Sequence, residues 1–136
     1  MEKLLGRHEP LMHSVLRIVS ALVLFSYGVQ KVLGFPVSDG PPAWSLPWIA
    51  GLFELVLGFT LLIGLQARLS AFILSGVMAF AYFLGHSPES FFPAQNGGVA
   101  AILFCFVFLF LAAAGPGPYS VDELSSKKFR LDPSRR

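Results

Sequence analysis

The residues best able to do chemistry in this chain are a few polar side chains set among long apolar stretches. Glu54 is the clearest, because it is the seventh residue of the apolar run beginning at Trp48 and therefore lies about 10 Å deep by helical rise. A carboxylate at that depth is costly unless it is protonated, paired or facing a wet cavity. Gly51 and Gly58 share its helix face, and glycines there allow another helix to approach closely. Glu54 is therefore predicted to point into the protein, with the two glycines in structural roles.

Lys31 is the predicted partner of Glu54. It lies at the end of the first apolar run, and its long side chain can bring the ammonium group down to the carboxylate. The two are predicted to be catalytic, with Glu54 exchanging a proton and Lys31 stabilising developing negative charge. The alternative is a purely structural ion pair, since ionisable residues inside membranes often pair with one another. One helix face is predicted to pack and to carry this lysine: Arg17, Ala21, Leu24, Gly28 and Lys31.

Further polar side chains fall at the same predicted depth as this pair. Four of them are predicted to bind a ligand: Gln30, Tyr82, His86 and Asn96. Gln95 lies at the same level. Tyr82 could instead belong to an aromatic belt at the membrane interface, and His86 could be a solvated loop residue. If the residues converge, they form a pocket for a polar head group.

Four apolar runs must position these residues. They are residues 14–33, 48–65, 69–85 and 97–114. At about 1.5 Å per residue, each crosses or nearly crosses a hydrocarbon core of about 30 Å. Charged residues make up only 13% of the chain, against about 25% in soluble domains. We therefore predict an all-α polytopic four-helix membrane bundle, a single transmembrane domain over residues 1–136 with a tail at 119–136. The first run is interpreted as a retained helix, since no signal-peptide cleavage site follows it.

The cationic residues indicate the orientation of this bundle. If the chain crosses the membrane four times, nine of its ten Lys and Arg residues fall on one side: Lys3, Arg7, Arg17, Arg68, Lys127, Lys128, Arg130, Arg135 and Arg136. The positive-inside rule then makes both termini cytoplasmic. Topology explains these charges, so no nucleic-acid partner is expected. Arg17 is expected to anchor its helix structurally to inner-leaflet phosphates, and Asp122 to cap a short tail helix.

The sequence also argues against several kinds of redox centre. Cys105 is the only cysteine, which excludes a Cys-x-x-Cys thiol oxidoreductase. His8 and His13 fall on the opposite side from His86, so two histidines cannot ligate a haem across the bundle. Glu54 is the only acid inside the predicted runs, too few for a di-iron site. No metal site and no covalently bound cofactor are predicted.

Several segments of the chain, taken together in their order and spacing, resemble a known family. They are Arg17 with Tyr27–Lys31, Gly51–Gly58, Leu61–Leu65, Ala81–Phe83 with His86, Phe91–Pro93 with Asn96–Gly98, and Gly115–Asp122. In these features the chain resembles the DoxX family of small four-helix bacterial membrane proteins. The resemblance implies a multi-pass protein of the bacterial inner (plasma) membrane, a shared polar site of Lys31, Glu54 and His86, and a structural Gly98.

The resemblance also implies an association with redox systems. Relatives are associated with oxidoreductases, including a distantly similar subunit of thiosulfate:quinone oxidoreductase, and with responses to quinone-like or oxidative stress. Two positions depart from the family pattern. Val99 stands where a glutamate is common, and Pro118 stands where a basic residue is usual. The first departure leaves Glu54 without a second carboxylate.

These observations lead to one main functional hypothesis and two alternatives. The chain is predicted to be a membrane subunit of an oxidoreductase system that binds a quinone or a similar lipophilic redox molecule near the outer leaflet. Its expected partners are the lipid bilayer, a soluble or membrane oxidoreductase that supplies electrons, and a second copy of the chain. The alternatives are a non-catalytic scaffold or assembly factor for a soluble partner, and a small-solute permease that would require an oligomer.

Overall fold

The computed structural model describes residues 6–36 and 39–130, and all regular secondary structure in that part of the chain is helical. A 3-10 turn at Gly6–His8 leads into the first of four long helices: α1 (Glu9–Leu33), α2 (Leu46–Ile63), α3 (Ala67–Phe80) and α4 (Val99–Ala114). A π-helical segment, Ala81–His86, continues α3, a single turn at Pro93–Asn96 precedes α4, and α5 (Val121–Arg130) follows it. Residues 1–5, 37–38 and 131–136 lie outside the described residues. The predictions for Lys3, Arg135, Arg136 and the end of the tail concern residues in these ranges.

The helices have the length and composition of membrane spans. Three stretches are long and apolar enough to cross a bilayer: Gly6–Leu33, Leu46–Ile63 and Ala67–His86. Helix α4 is as apolar but shorter, with 16 residues. The prediction of an all-α membrane bundle is thereby confirmed.

Several helix boundaries differ from the predicted ones by two or more residues, and two of these differences have clear local causes. Helix α1 begins at Glu9 rather than at residue 14, because Pro10 is well tolerated in a first turn, where its missing N–H has no helical partner. Helix α4 begins at Val99 rather than at residue 97, because Gly97 adopts a left-handed conformation (φ 70°) and ends the preceding turn.

Glycines bring α1 and α2 close together, as the sequence predicted. A Cβ atom at Gly28 would collide with the backbone nitrogen of Leu55, and one at Gly58 would lie 3.2 Å from Cα of Phe25. A Cβ at Gly51 would lie 2.7 Å from Cβ of Lys31. The two backbones are therefore packed as small residues allow in membrane helix pairs.

The other helices complete the bundle around a small apolar core. Helix α3 packs against α4, and a short turn at Gly64 makes α2 and α3 neighbours. The core consists of Ala21, Leu24, Leu61, Ala67, Ala71, Leu74, Met78, Phe108 and Leu111. Large apolar side chains such as Phe72 and Phe106 are instead exposed on the outside, where a bilayer would cover them.

Arg17 joins α1 to α2 and to the loop after α4 by hydrogen bonds. These lie at the end of the bundle where α1 begins and α4 ends, here called the basic end. The Arg17 side chain is buried (1% exposed), and all of its described hydrogen bonds go to backbone carbonyls. Nη1 donates to Leu61 and Leu62 at 2.6 Å, Nε donates to Pro116 at 2.8 Å, and Nη2 donates to Tyr119. The expected phosphate anchor is wrong, because the guanidinium group satisfies the last carbonyls of α2 and the loop after α4.

Asp122 has a different role from the predicted one. Its carboxylate accepts hydrogen bonds from the backbone N–H groups of Gln66 (2.8 Å) and Ala67 (2.9 Å), so it caps α3 and not its own helix. Ser120 caps α5 instead, because its Oγ accepts from the N–H of Glu123 at 3.2 Å. The segment after α4 is therefore folded back onto the basic end.

Candidate functional site

The opposite end of the bundle, here called the cavity end, contains a cavity of about 250 Å³ between the four long helices. Its lining is mostly apolar and includes four ionisable side chains, those of Tyr27, Lys31, Glu54 and His86. The lining residues are Leu24, Tyr27, Lys31, Glu54, Met78, Ala81, His86, Gly97, Ala100, Ala101 and Phe104. A largely apolar pocket with a few convergent polar groups is typical of small-molecule sites.

Glu54 and Lys31 form an ion pair in the wall of this cavity. Lys31 Nζ lies 2.6 Å from Glu54 Oε1. The Glu54 side chain is 2% exposed and the Lys31 side chain 27%. The predicted contact between them is present, and it joins the last turn of α1 to α2.

The second carboxylate oxygen of Glu54 has no such partner. Oε2 is buried, and no hydrogen-bond donor reaches it among residues 6–36 and 39–130. A buried acceptor left without a hydrogen bond costs about 1–3 kcal/mol, and more when it is charged. The site therefore holds an unused acceptor beside a cavity.

His86 reaches the same cavity from the π-helical continuation of α3. Its Nδ1 lies 2.9 Å from the backbone carbonyl of Asn96. A carbonyl oxygen can only accept, so Nδ1 carries the proton, and Nε2 of a neutral ring is then an acceptor. π-Helical turns are frequent at functional sites.

A second, more apolar cavity of about 520 Å³ adjoins the first between α2 and α3. Lys31, Ala81 and His86 line both cavities. The remaining lining is Leu46, Pro47, Ile49, Ala50, Phe53, Val77, Phe80, Leu84 and Gly85. Several of these, including Phe80 and Leu84, are exposed on the outer surface of the bundle. This cavity therefore opens sideways, towards the position of the lipid.

Two predicted ligand-binding residues build the loop before α4 instead. The Tyr82 hydroxyl donates to the Phe91 carbonyl at 2.6 Å. The Asn96 side chain accepts from the N–H of Gly98 at 2.7 Å and donates to the Ser90 carbonyl at 2.6 Å. Neither residue lines either cavity. The expected ligand contact is corrected to a structural role, because these polar groups are already paired within the protein.

Gln30 also differs from the prediction, since it lines neither cavity. Gln95 is exposed and its side-chain oxygen accepts from Ser90 Oγ at 3.1 Å. Gly98 has the predicted structural role, because a Cβ there would lie 2.7 Å from the Tyr82 ring.

The sequence reasoning missed the residues of α4 that shape the first cavity. Ala100, Ala101 and Phe104 line this cavity, and the two alanines leave space that larger side chains would fill. Two small residues at the start of an otherwise bulky helix were the available signal. Val99, at the position where a second carboxylate was expected by resemblance, is 47% exposed and lines neither cavity.

Comparison with known proteins identifies related chains. The DoxX family model matches residues 12–87, a range that contains Lys31, Glu54 and His86. A protein of Haemophilus influenzae, described as an uncharacterized protein, is 37% identical over 131 residues, covering 91% of this chain and 98% of the relative. A search of solved structures found no match.

Proposed function

The chain belongs to the DoxX family of membrane proteins, and from that premise we propose that it binds a quinone or a similar lipophilic redox molecule for an oxidoreductase system. The observation that carries this proposal is the buried carboxylate of Glu54, which has one oxygen without a hydrogen bond and lines a cavity that adjoins a larger, more apolar one. A molecule with a polar ring and an apolar tail suits that combination.

The proposed location is the bacterial inner membrane, with the basic end in the cytoplasm. Arg7 and Arg68 lie near the basic end, and α5 adds Lys127 and Lys128. Cytoplasmic loops and tails of membrane proteins are enriched in such residues. This orientation places the cavity end in the outer half of the bilayer.

Lys31, Glu54 and His86 have distinct proposed roles. Lys31 places a positive charge beside the head group, where it stabilises negative charge on a ring oxygen. Glu54 exchanges a proton with that oxygen. His86 lies nearer the surface than Glu54 and passes protons between the cavity and water.

The apolar cavity accounts for the entry of such a ligand. Its opening between α2 and α3 is lined by Phe53, Phe80 and Leu84, which would face lipid tails. A ligand dissolved in the bilayer can therefore enter sideways with its tail among these side chains. By itself this cavity falls within the range of roughly 300–1,000 Å³ that ligand pockets usually have.

A partner protein must complete any redox reaction at this site. Reduction of a quinone to its quinol takes up two electrons and two protons. The residues described above can handle protons, whereas the sequence carries no motif for a bound electron carrier. We propose that the electrons come from an oxidoreductase partner with a redox centre of its own.

Mass spectrometry of small molecules extracted from gently purified protein tests the ligand. The informative variant is Ala81→Phe, because Ala81 lines both cavities and the added ring would fill the space they share. The matched control is Ala113→Phe, an exposed position at the basic end. Near-stoichiometric quinone in wild type and control, but not in Ala81→Phe, is the expected result. Bulk phospholipid alone in all three proteins would contradict the proposal and favour the scaffold alternative.

A further inference from the structure

We propose that this site binds the reduced, hydroxyl-bearing form of its ligand, the quinol, more tightly than the quinone. This inference rests on the proposed function and adds the redox state that the cavity selects. It follows from which hydrogen-bonding groups the cavity leaves unused.

The first unused group is an acceptor that water reaches poorly. Oε1 of Glu54 accepts from Lys31 Nζ at 2.6 Å, while Oε2 is buried and receives no hydrogen bond from the described residues. A carboxylate paired with an ammonium group accepts hydrogen bonds and does not donate them. A donor on the ligand would therefore satisfy Oε2.

The second available group is also an acceptor. Nδ1 of His86 donates to the Asn96 carbonyl, which leaves Nε2 of the neutral ring able to accept. Two lining residues carry further donors, the Lys31 ammonium and the Tyr27 hydroxyl, but the Lys31 side chain is 27% exposed and Tyr27 is 44% exposed, so both can be solvated without a ligand. In the empty site, Oε2 is therefore the buried group that lacks a hydrogen bond, whereas the ammonium group is solvated.

The two redox forms of the ligand differ in whether they can donate a hydrogen bond to Oε2. A quinone has two carbonyl oxygens, which only accept, so a quinone oxygen facing Oε2 would place two acceptors together. A quinol has two O–H donors, and an O–H donating to a carboxylate makes a short, charge-assisted hydrogen bond. Binding of the quinol satisfies Oε2, whereas binding of the quinone leaves it unpaired.

The expected preference is about tenfold or more, since a hydrogen bond to a charged group usually contributes at least a factor of ten in binding. Tighter binding of the reduced form raises the midpoint potential of the bound couple above that of the free couple. For a two-electron couple, a tenfold preference corresponds to a rise of about 30 mV.

The experiment uses the full chain in lipid nanodiscs, with a benzoquinone carrying a short alkyl tail and its quinol as probes. Dissociation constants for both forms are measured under anaerobic conditions by equilibrium dialysis. Glu54→Gln is the decisive variant, because the amide keeps the shape of the side chain and adds N–H donors. Its preference should fall towards equality or reverse in favour of the quinone. Glu123→Gln makes the same chemical change on α5 and should keep the wild-type preference.

The outcomes separate this inference from the function on which it rests. Tighter quinol binding that is lost in Glu54→Gln supports the inference. Equal binding of both forms by the wild type, or tighter binding of the quinone, overturns the inference and leaves the quinone site standing. A quinol preference that persists in Glu54→Gln overturns the role of Oε2. If the folded wild-type protein binds neither form, the result contradicts the proposed function itself.

Discussion

Lys31 Nζ lies 2.6 Å from Oε1 of Glu54, and this ion pair links the last turn of α1 to a carboxylate buried within α2. The two partners are exposed unequally, at 27% for Lys31 and 2% for Glu54. This arrangement allows the pair to stabilise the helix contact and to line a ligand cavity at the same time.

Separating the structural and ligand roles of this pair requires a double-mutant comparison. Lys31→Met should destabilise the protein by about 3 kcal/mol, because removing one partner leaves a buried charge unpaired. Adding Glu54→Leu should restore much of that loss, because two apolar side chains replace the pair. Thermal unfolding in detergent measures the stability, and mass spectrometry of bound small molecules measures the ligand.

The proposed function requires the double variant to be stable but empty of quinone. Recovery of both stability and quinone content would show that the pair is only structural. Failure of the second substitution to restore stability would show that the two side chains are not coupled as the 2.6 Å contact indicates.

The close packing of α1 and α2 depends on Gly28. Gly28→Ala should lower stability by about 1–3 kcal/mol, because the added methyl group would collide with the backbone of Leu55 and force the helices apart. Gly76→Ala is the matched control, since nothing lies within 4 Å of a Cβ atom at that helical position. It should be neutral or stabilising by up to about 1 kcal/mol. Equal melting temperatures for the two variants would contradict the packing argument.

The basic end depends on the geometry of Arg17 and not only on its charge. Arg17→Lys should destabilise the protein by at least about 2 kcal/mol, because an ammonium group cannot reach carbonyls in α2 and in the loop after α4 together. Arg7→Lys is the control, since Arg7 is exposed in the first turn. Circular dichroism during heating compares the two. An unchanged melting temperature for Arg17→Lys would show that the carbonyls do not need the guanidinium group.

Asp122 connects the tail to the start of α3. Asp122→Ala should cost about 0.5–2 kcal/mol, the usual loss for a helix cap, because the N–H groups of Gln66 and Ala67 lose their acceptor. Glu123→Ala removes only a long, exposed contact of 3.7 Å to Lys127 and should change stability by less than about 1 kcal/mol. Chemical unfolding of both variants in detergent measures the difference. A larger effect of Glu123→Ala would contradict the capping assignment.

Much of the bundle could be predicted because the relevant signals are local. Apolar runs of sufficient length indicate membrane helices wherever they occur, and glycines spaced along one face indicate close packing. The faces that carry Gly28 and Gly51 followed from helical periodicity alone. The contact between Lys31 and Glu54 followed from their matching levels along two packed helix faces.

The partners of Arg17 and Asp122 could not be predicted in the same way. Arg17 donates to Pro116 and Asp122 accepts from Gln66, and both bonds join residues far apart in the chain. No spacing within the sequence reports such contacts, because they form only after the segment following α4 folds back onto the basic end. Before that folding step, no local feature of the sequence distinguishes an arginine that will be buried from one that will stay at the surface.

By itself the sequence determined the number of long helices and their approximate limits, since these depend on composition and on local helix signals. Only the tertiary structure decided which polar side chains enter the cavity. The π-helical segment changes the angular step between residues after Phe80, as the hydrogen bond from the N–H of Ser87 to the carbonyl of Tyr82 shows. Extrapolating the α-helical face therefore placed Tyr82 and His86 together. The wider turn instead lets His86 line the cavity while Tyr82 packs beneath the loop before α4.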